Sequence, residues 1–325
     1  MARIELHTSL EQHVLDTIVE LLEETTRLDG HQPVGEHKYA HLVVGATGWT
    51  GVLAYEGDRL VGYAHTRWNA LGDYPRVAVE VVVHPQWRAD GRVAQALLAE
   101  TEGVLARAGG GVMFLWVHRV SDPRRTVAAE LGYEVQRELA FMSRPLTERP
   151  EPRIPEGVEI RPHRPGHDDA ELLRVNNAAF EGHPENGNWD HAELERRRAL
   201  AWFDPEDLLM AWEGDQLLGF HWTKWHGHDA DEVPAHEPVG EVYVLGVDPA
   251  VQGRGLGRTL LDVGLAHLHD RGCRIAVLYV DRQDEVAVRL YEARGFTVRY
   301  SEVCYQRNVP PAIDAPESEL RRPAG

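Results

Sequence analysis

One stretch constrains this chain more than any other: Glu241-Val-Tyr-Val-Leu-Gly-Val-Asp-Pro-Ala-Val-Gln252-Gly-Arg-Gly-Leu-Gly-Arg258-Thr-Leu-Leu. Its first part is an apolar run of strand length, closed by Asp248-Pro249. Its last part opens a helix whose apolar side carries Leu256, Leu260, Leu261, Leu265 and Leu268. Between them, Gly253, Gly255 and Gly257 remove every other side chain. Bare backbone N–H groups can then converge on an anion at the helix N-terminus, where the aligned peptide dipoles also favour negative charge. Arg254 and Arg258 add positive charge. A strand that feeds a bare, cationic helix start reads as a pyrophosphate cradle.

Three known glycine loops bear comparison. A Walker loop requires Gly-Lys-Ser/Thr, and none follows here. A dinucleotide fingerprint requires GxGxxG, whereas the spacing here is Gly-x-Gly-x-Gly. The pattern Gln252-x-x-Gly255-x-Gly257, directly after a Val-Asp-Pro strand end, resembles the acetyl-coenzyme A loop of the GCN5-related N-acetyltransferases. That resemblance implies an α/β fold with a mixed sheet and acetyl-CoA as co-substrate. A glycine-rich helix cap that binds nothing is the alternative.

At 325 residues the chain suits two domains, each able to bury a core. Lysine and arginine number 34 against 52 acidic residues, a net charge of −18, so no basic stripe is on hand for nucleic acid. Cys273 and Cys304 form neither a disulfide framework nor a metal motif. His221, His226, His228 and His236 cluster near one loop, but their spacing fits no compact ligand set, and no metal is expected. No apolar run reaches membrane-spanning length, and Met-Ala-Arg-Ile-Glu-Leu at the start lacks a signal peptide's apolar core. The expectation is a soluble, cytoplasmic monomer with no nucleic-acid or membrane partner.

The halves repeat each other. Each has a hairpin about Glu-Gly-Asp, then a β-branched strand ending Val83-His84-Pro85 or Val247-Asp248-Pro249, then a loop and helix. Leu131-Gly132-Tyr133 later answers Arg294-Gly295-Phe296. The expected division is an N-terminal domain over 1–146, a proline-rich linker over 147–157, a C-terminal domain over 158–307 and a frayed tail over 308–325. Ser9 is the expected cap of a first helix over 9–28, and the last strand is expected to run through Tyr305. The two loops are unequal. Where the second reads Gln252-Gly-Arg-Gly-Leu-Gly257, the first reads Arg88-Ala-Asp-Gly-Arg-Val93. Asp90 brings a negative charge to the cradle, and Val93 restores a side chain where backbone should approach phosphate. The working site is therefore expected in the C-terminal half.

A narrower likeness rests on longer strings: Asp29-Gly-x-x-Pro-Val-Gly-Glu36, Val175-Asn-Asn-Ala-Ala-Phe-Glu-Gly-His-Pro-Glu185, Ala201-Trp-Phe-Asp-Pro205, Leu218-Gly-Phe-His-Trp-Thr-Lys224 and the strand from Glu241. Together, over about residues 15–305, these strings resemble the mycothiol synthases, tandem acetyltransferases of the GCN5-related kind. The resemblance implies acetyl transfer from acetyl-CoA to the cysteine amine of desacetylmycothiol, a cysteinyl-glucosaminyl-inositol. It implies Glu241 as general base and Tyr291 as the acid that protonates the departing thiolate. It places substrate on Glu36, Glu185, Lys224, Glu241 and Tyr279. It assigns the pantetheine arm to backbone of Leu245, Gly246 and Val247, and the pyrophosphate to Gln252, Gly253, Arg254, Gly255, Leu256, Gly257 and Arg258. Asp284, Glu285, Val286, Ala287, Val288 and Arg289 line the rest of the coenzyme, with Asp284 standing where the family pattern has asparagine. The first-half counterparts are Val81, Val82 and Val83, with Ala89–Ala94.

From the residues alone, Glu241 reads equally as a solvated strand-end carboxylate, and Tyr291 as a core aromatic under the sheet. A tandem acetyltransferase for another amine, such as an aminoglycoside or polyamine, would keep the cradle and Tyr291. A CoA-sensing module is the non-enzymatic reading.

Overall fold

A computed structural model describes residues 2–34, 42, 49–69, 75–120, 125, 128–183, 186–227 and 237–312. The chain divides into two compact units, Met1–Leu139 with Tyr300–Gly325, and Ala140–Arg299.

The first unit begins with β1 (Arg3–His7) and α1 (Gln12–Asp29), followed by the hairpin β2 (Trp49–Glu56) and β3 (Arg59–Asn69). Then come β4 (Arg76–Val83), α2 (Arg92–Arg107), β5 (Gly111–Val117) and the start of β6 (Glu134–Pro145). Strands β1 to β4 pair antiparallel in sequence order, and β4 pairs parallel with β5. Helix α1 starts at Glu11, whose side chain makes no capping bond, rather than at Ser9. It stops at Gly30, left-handed at φ 72°, whose N–H reaches Thr26.

The second unit takes residues 140–145 of β6, then β7 (Glu159–Pro162), α3 (Asp169–Ala179) and α4 (His191–Arg198). The hairpin β8 (Leu208–Glu213) and β9 (Gln216–His226) leads to β10 (Val239–Val247), α5 (Leu256–Asp270), β11 (Ile275–Asp281) and α6 (Glu285–Glu292). Its strands lie in the order β6-β11-β10-β9-β8-β7; β10 and β11 run parallel, and β7 to β10 pair antiparallel in sequence order.

The units do not divide at the proline-rich segment. The last strand, β12 (Thr297–Val309), runs beyond Tyr305, and its residues Val303–Val309 pair antiparallel with β5 of the first unit. Asn308 and Val309, expected in the tail, sit in that ladder, and residues 313–325 lie outside the described residues. The segment expected as a free linker is held along the second unit. Leu146 N–H donates to the Arg274 carbonyl at 2.7 Å, Arg149 pairs with Asp270 at 2.8 Å, and the Thr259 hydroxyl donates to the Arg153 carbonyl at 3.0 Å. Proline and alternating charge did mark an extended strand of chain, but not a boundary.

In the second unit, α5 lies on one face of the sheet. Its buried Leu261, Leu265 and Leu268 pack with Ala276, Leu278 and Phe296. Gly264 allows the approach: a Cβ there would stand 2.0 Å from the His221 ring. His221 is fully buried, its Nδ1 2.8 Å from the Leu260 carbonyl, and burial pushes its pKa down to about 4. It is a neutral, buried histidine donating to a helix carbonyl. Its pKa is depressed on folding, so its contribution is present above about pH 6.5, the unfolded value, and is lost as pH falls through about 4. The expected loss is about 3 kcal/mol. Urea unfolding followed from pH 7.5 to 4.5 should show this slope in the wild type and a shallower one in His221→Gln; equal slopes would remove His221 as the source.

Candidate active site

Strand β10 organises the second unit's chemistry. Glu241 stands opposite Lys224 on β9 and beside Val277 on β11. The parallel ladder with β11 stops at that Glu241–Val277 pair, whereas the antiparallel ladder with β9 continues to Val247. The strands thus part just beyond Glu241, leaving Val242–Val247 without a ladder partner on the β11 side. The β9–β10 register also slips between Val242 and Val244, so Tyr243 is an extra, bulged residue. A bulge re-aims side chains and deepens the local twist. Tyr243 accordingly reaches α4, where its hydroxyl accepts from Arg197 at 2.7 Å.

Residues opposite one another in a ladder share a sheet face. Lys224, Glu241, Val277 and Tyr279 thus lie on the face away from α5. Glu241 is mostly buried, and its carboxylate meets His226 Nε2 at 2.7 Å. The Lys224 ammonium stands 4.9 Å from the Trp202 ring centre, and Trp202 packs edge-on against Tyr243. Tyr279 is half-exposed beside Phe141, ring centres 5.0 Å apart. Glu36 and Glu185 lie outside the described residues, as do His228 and His236.

The glycine loop follows directly. Asp248 closes β10, accepts from Ala250 N–H and pairs with Arg174 at 2.6 Å, which holds its carboxyl below the usual range. Gly253 and Gly255 are left-handed, at φ 83° and 82°, a conformation that side chains strain. Gly257 differs: a Cβ there would meet only ordinary contacts, 3.7 Å to Leu290 and 3.8 Å to Val247. The unit's own packing therefore does not require glycine at this position, on the first turn of α5. Arg258 is exposed and makes no ion pair among the described residues. Arg254 departs from expectation, because its guanidinium is held by Glu213 at 2.7 Å and its charge is partly spent.

Asp284, where the resemblance implies asparagine, has a local structural role. Its carboxylate caps α6, accepting from Ala287 N–H at 3.0 Å, a task aspartate performs well. Glu285 and Arg289 pair along the outer face of α6, and Val286 is 74% exposed beside them, an uncovered apolar side chain. Ala287 and Val288 turn toward the core, and Leu256 is buried at the start of α5. Tyr291 is buried against Phe296, ring centres 5.8 Å apart, so the core-aromatic reading holds for its ring. Burial, with Asp284 nearby, pushes its pKa up, so the hydroxyl stays protonated.

The first unit's loop is organised otherwise. Gly91 caps α2 at φ 68°, but the Asp90 carboxylate accepts from Arg92 N–H at 3.1 Å. An internal anion thus already occupies the helix start. Val93 does not cover the loop as expected. It is buried, and the Cβ position of Gly62 lies 2.7 Å from its Cγ1. The β3–β4 ladder runs through Val81, Val82 and Val83 without a bulge, in contrast to β9–β10.

His226 was overlooked as a partner of Glu241. Its signal lay in Trp222-Thr-Lys-Trp-His226, where a period of two puts Trp222, Lys224 and His226 on one strand face.

Comparison with known proteins agrees with this geometry. The Acetyltransferase (GNAT) family profile matches residues 172–296. The mycothiol acetyltransferase of Acidothermus cellulolyticus is 39% identical over 316 residues, covering 94% of each chain. That of Nocardia farcinica is 43% identical over 305 residues, covering 92% of this chain and 96% of its own. This chain belongs to the mycothiol acetyltransferase family. As in that family's name, it is an acetyltransferase, and both units are included in the match. A tandem GNAT protein from the clavulanic acid pathway superposes with a TM-score of 0.68, at 14% identity, over 96% of this chain and all of its own. That likeness concerns fold alone and supports two acetyltransferase-like units in tandem. Among the described residues no helix is long and apolar enough to cross a membrane.

Proposed function

We propose that this mycothiol acetyltransferase family member moves the acetyl group of acetyl-CoA onto the cysteinyl amine of desacetylmycothiol, and that the second unit carries the reaction. The observation that carries this reading is the position of Glu241. A mostly buried carboxylate sits where β10 and β11 part, on the strand that feeds the glycine loop. The unpaired edge of Leu245, Gly246 and Val247 suits strand-like pairing with a pantetheine arm. The N–H groups from Gln252 to Arg258 suit the pyrophosphate, with the free Arg258 guanidinium adding charge. The outer side of α6, including Val286, suits the adenosine side.

Acetyl-CoA supplies an activated thioester, open to direct attack by an amine. The chain's own work is then positioning and proton movement. An α-amino group is largely protonated below about pH 8. Glu241 takes that proton, and the freed nitrogen lone pair becomes the nucleophile. Tyr291, kept protonated by burial, donates to the departing sulfur. Lys224 and Tyr279, on the face that bears Glu241, bind the sugar and cysteinyl parts, and the monomer acts in the cytoplasm. The test is a mass-spectrometric assay of purified protein with acetyl-CoA and desacetylmycothiol, beside aminoglycosides and polyamines. Acetylation of the cysteinyl amine in preference to the panel is the expected result; preference for a panel amine overturns the substrate assignment.

A further inference from the structure

The contact between Glu241 and His226 goes beyond a one-residue base. A base that takes a proton must pass it on before the next turnover. Glu241 is less exposed than its partner: the side chains are 15% and 26% accessible. The 2.7 Å contact with His226 Nε2 is a route from this carboxylate toward solvent. Other charged groups on this face, among the described residues, are poor carriers. Lys224 stands directly opposite Glu241 as an ammonium over the Trp202 ring, and ammonium offers no lone pair. Arg197, bonded to Tyr243, does not deprotonate in a protein. On β11 the facing groups are Val277 and the phenol Tyr279, and Glu237 precedes β10. Histidine alone among these side-chain types cycles its charge near neutral pH.

We infer that His226 accepts the substrate's proton from Glu241 and releases it to water. This rests on Glu241 acting as the base. In the first step the ammonium N–H bond breaks, its electron pair stays on nitrogen, and the proton forms an O–H bond on Glu241. In the second step that O–H bond breaks, its pair stays on the carboxylate, and the proton bonds to His226 Nε2. The imidazolium then loses one proton to water and returns, by proton exchange with solvent, to the neutral Nδ1–H form, whose Nε2 lone pair again faces Glu241. One proton moves from ammonium to solvent, and nothing is oxidised or reduced. The strand alternation that places His226 beside Lys224 keeps the ring on the Glu241 face.

The experiment compares His226→Ala, His226→Gln and Glu241→Gln, with acetyl-CoA affinity by calorimetry as the check on folding. His226→Ala should lower kcat by about tenfold or more at pH 7 with acetyl-CoA affinity unchanged. Millimolar imidazole should restore part of the rate, more so as pH rises and imidazole becomes neutral. Glutamine retains an N–H donor for Glu241 but carries no proton, so His226→Gln should be as slow as His226→Ala. A wild-type rate in His226→Gln would make His226 an orienting residue only and overturn the relay. Full activity in His226→Ala with a slow Glu241→Gln would do the same while leaving the base intact. Full activity in Glu241→Gln would instead overturn the reading on which the relay stands.

Discussion

Glu241→Gln should lower kcat/KM for the amine by about 100-fold or more at pH 7 and leave acetyl-CoA affinity near its wild-type value. The amide keeps the carboxylate's shape and still bonds to His226, so the strand and bulge should persist. It cannot take a proton. At pH 7 most of an α-amino group is ammonium, given its value near about 8, and the variant must wait for the minor neutral form. The deficit should therefore shrink as pH rises through about 8, because solvent then removes the proton that Glu241 would have taken. A steady-state pH series from 6.5 to 9.5 on both proteins tests this. A constant ratio across the series would mean that Glu241 binds substrate without serving as base, and an unchanged rate would remove it from the site.

The sequence disclosed the second unit more fully than the first, for physical reasons. The strand, glycine loop and helix over 241–268 share one short segment, so local pattern was enough to place them. The β-bulge at Tyr243 was invisible, because nothing in Glu241-Val-Tyr-Val-Leu distinguishes an inserted residue from a paired one. Strand β1 was missed because Arg-Ile-Glu-Leu-His is a short edge strand with no fully buried residue. The exchange of the last strand into the first unit was also illegible. Pairing of residues 303–309 with β5 depends on a partner far back in the chain, and proline content at 147–157 pointed elsewhere. Charge proved a better guide than side-chain size in the first loop. Asp90 lies where its sign implied, on the amide of Arg92, whereas Val93 turned into the core. Arg254 shows the converse: a charge placed correctly in sequence can be engaged by a neighbour, here Glu213, that no local pattern discloses.

Gly257→Val should weaken acetyl-CoA binding at least tenfold, or about 1.4 kcal/mol, without unfolding the second unit. The unit itself leaves room: the added Cβ would find Leu290 and Val247 at 3.7 and 3.8 Å, ordinary van der Waals distances. Gly253 and Gly255 would be poorer probes, since their left-handed backbone makes any substitution a test of folding. Val93 in the first unit packs against Gly62, whereas a valine at 257 would stand between Val247 and Leu290, where β10 ends and α5 begins and where, on the proposed reading, a diphosphate needs bare backbone. The matching change in the first unit is Asp90→Asn, which removes the charge that now sits on the α2 start. If the second loop alone is the working cradle, Asp90→Asn should leave catalytic turnover and the tight coenzyme affinity as they were, even where it admits a further weak equivalent. Titration calorimetry with acetyl-CoA separates the cases by stoichiometry as well as affinity. One tight equivalent lost in Gly257→Val and kept in Asp90→Asn places the reacting thioester beside Glu241. A tight equivalent that survives Gly257→Val and responds to Asp90 instead would move the coenzyme to the first unit, where no bulge opens the β3–β4 ladder and the buried Glu80 ends the parallel β4–β5 ladder.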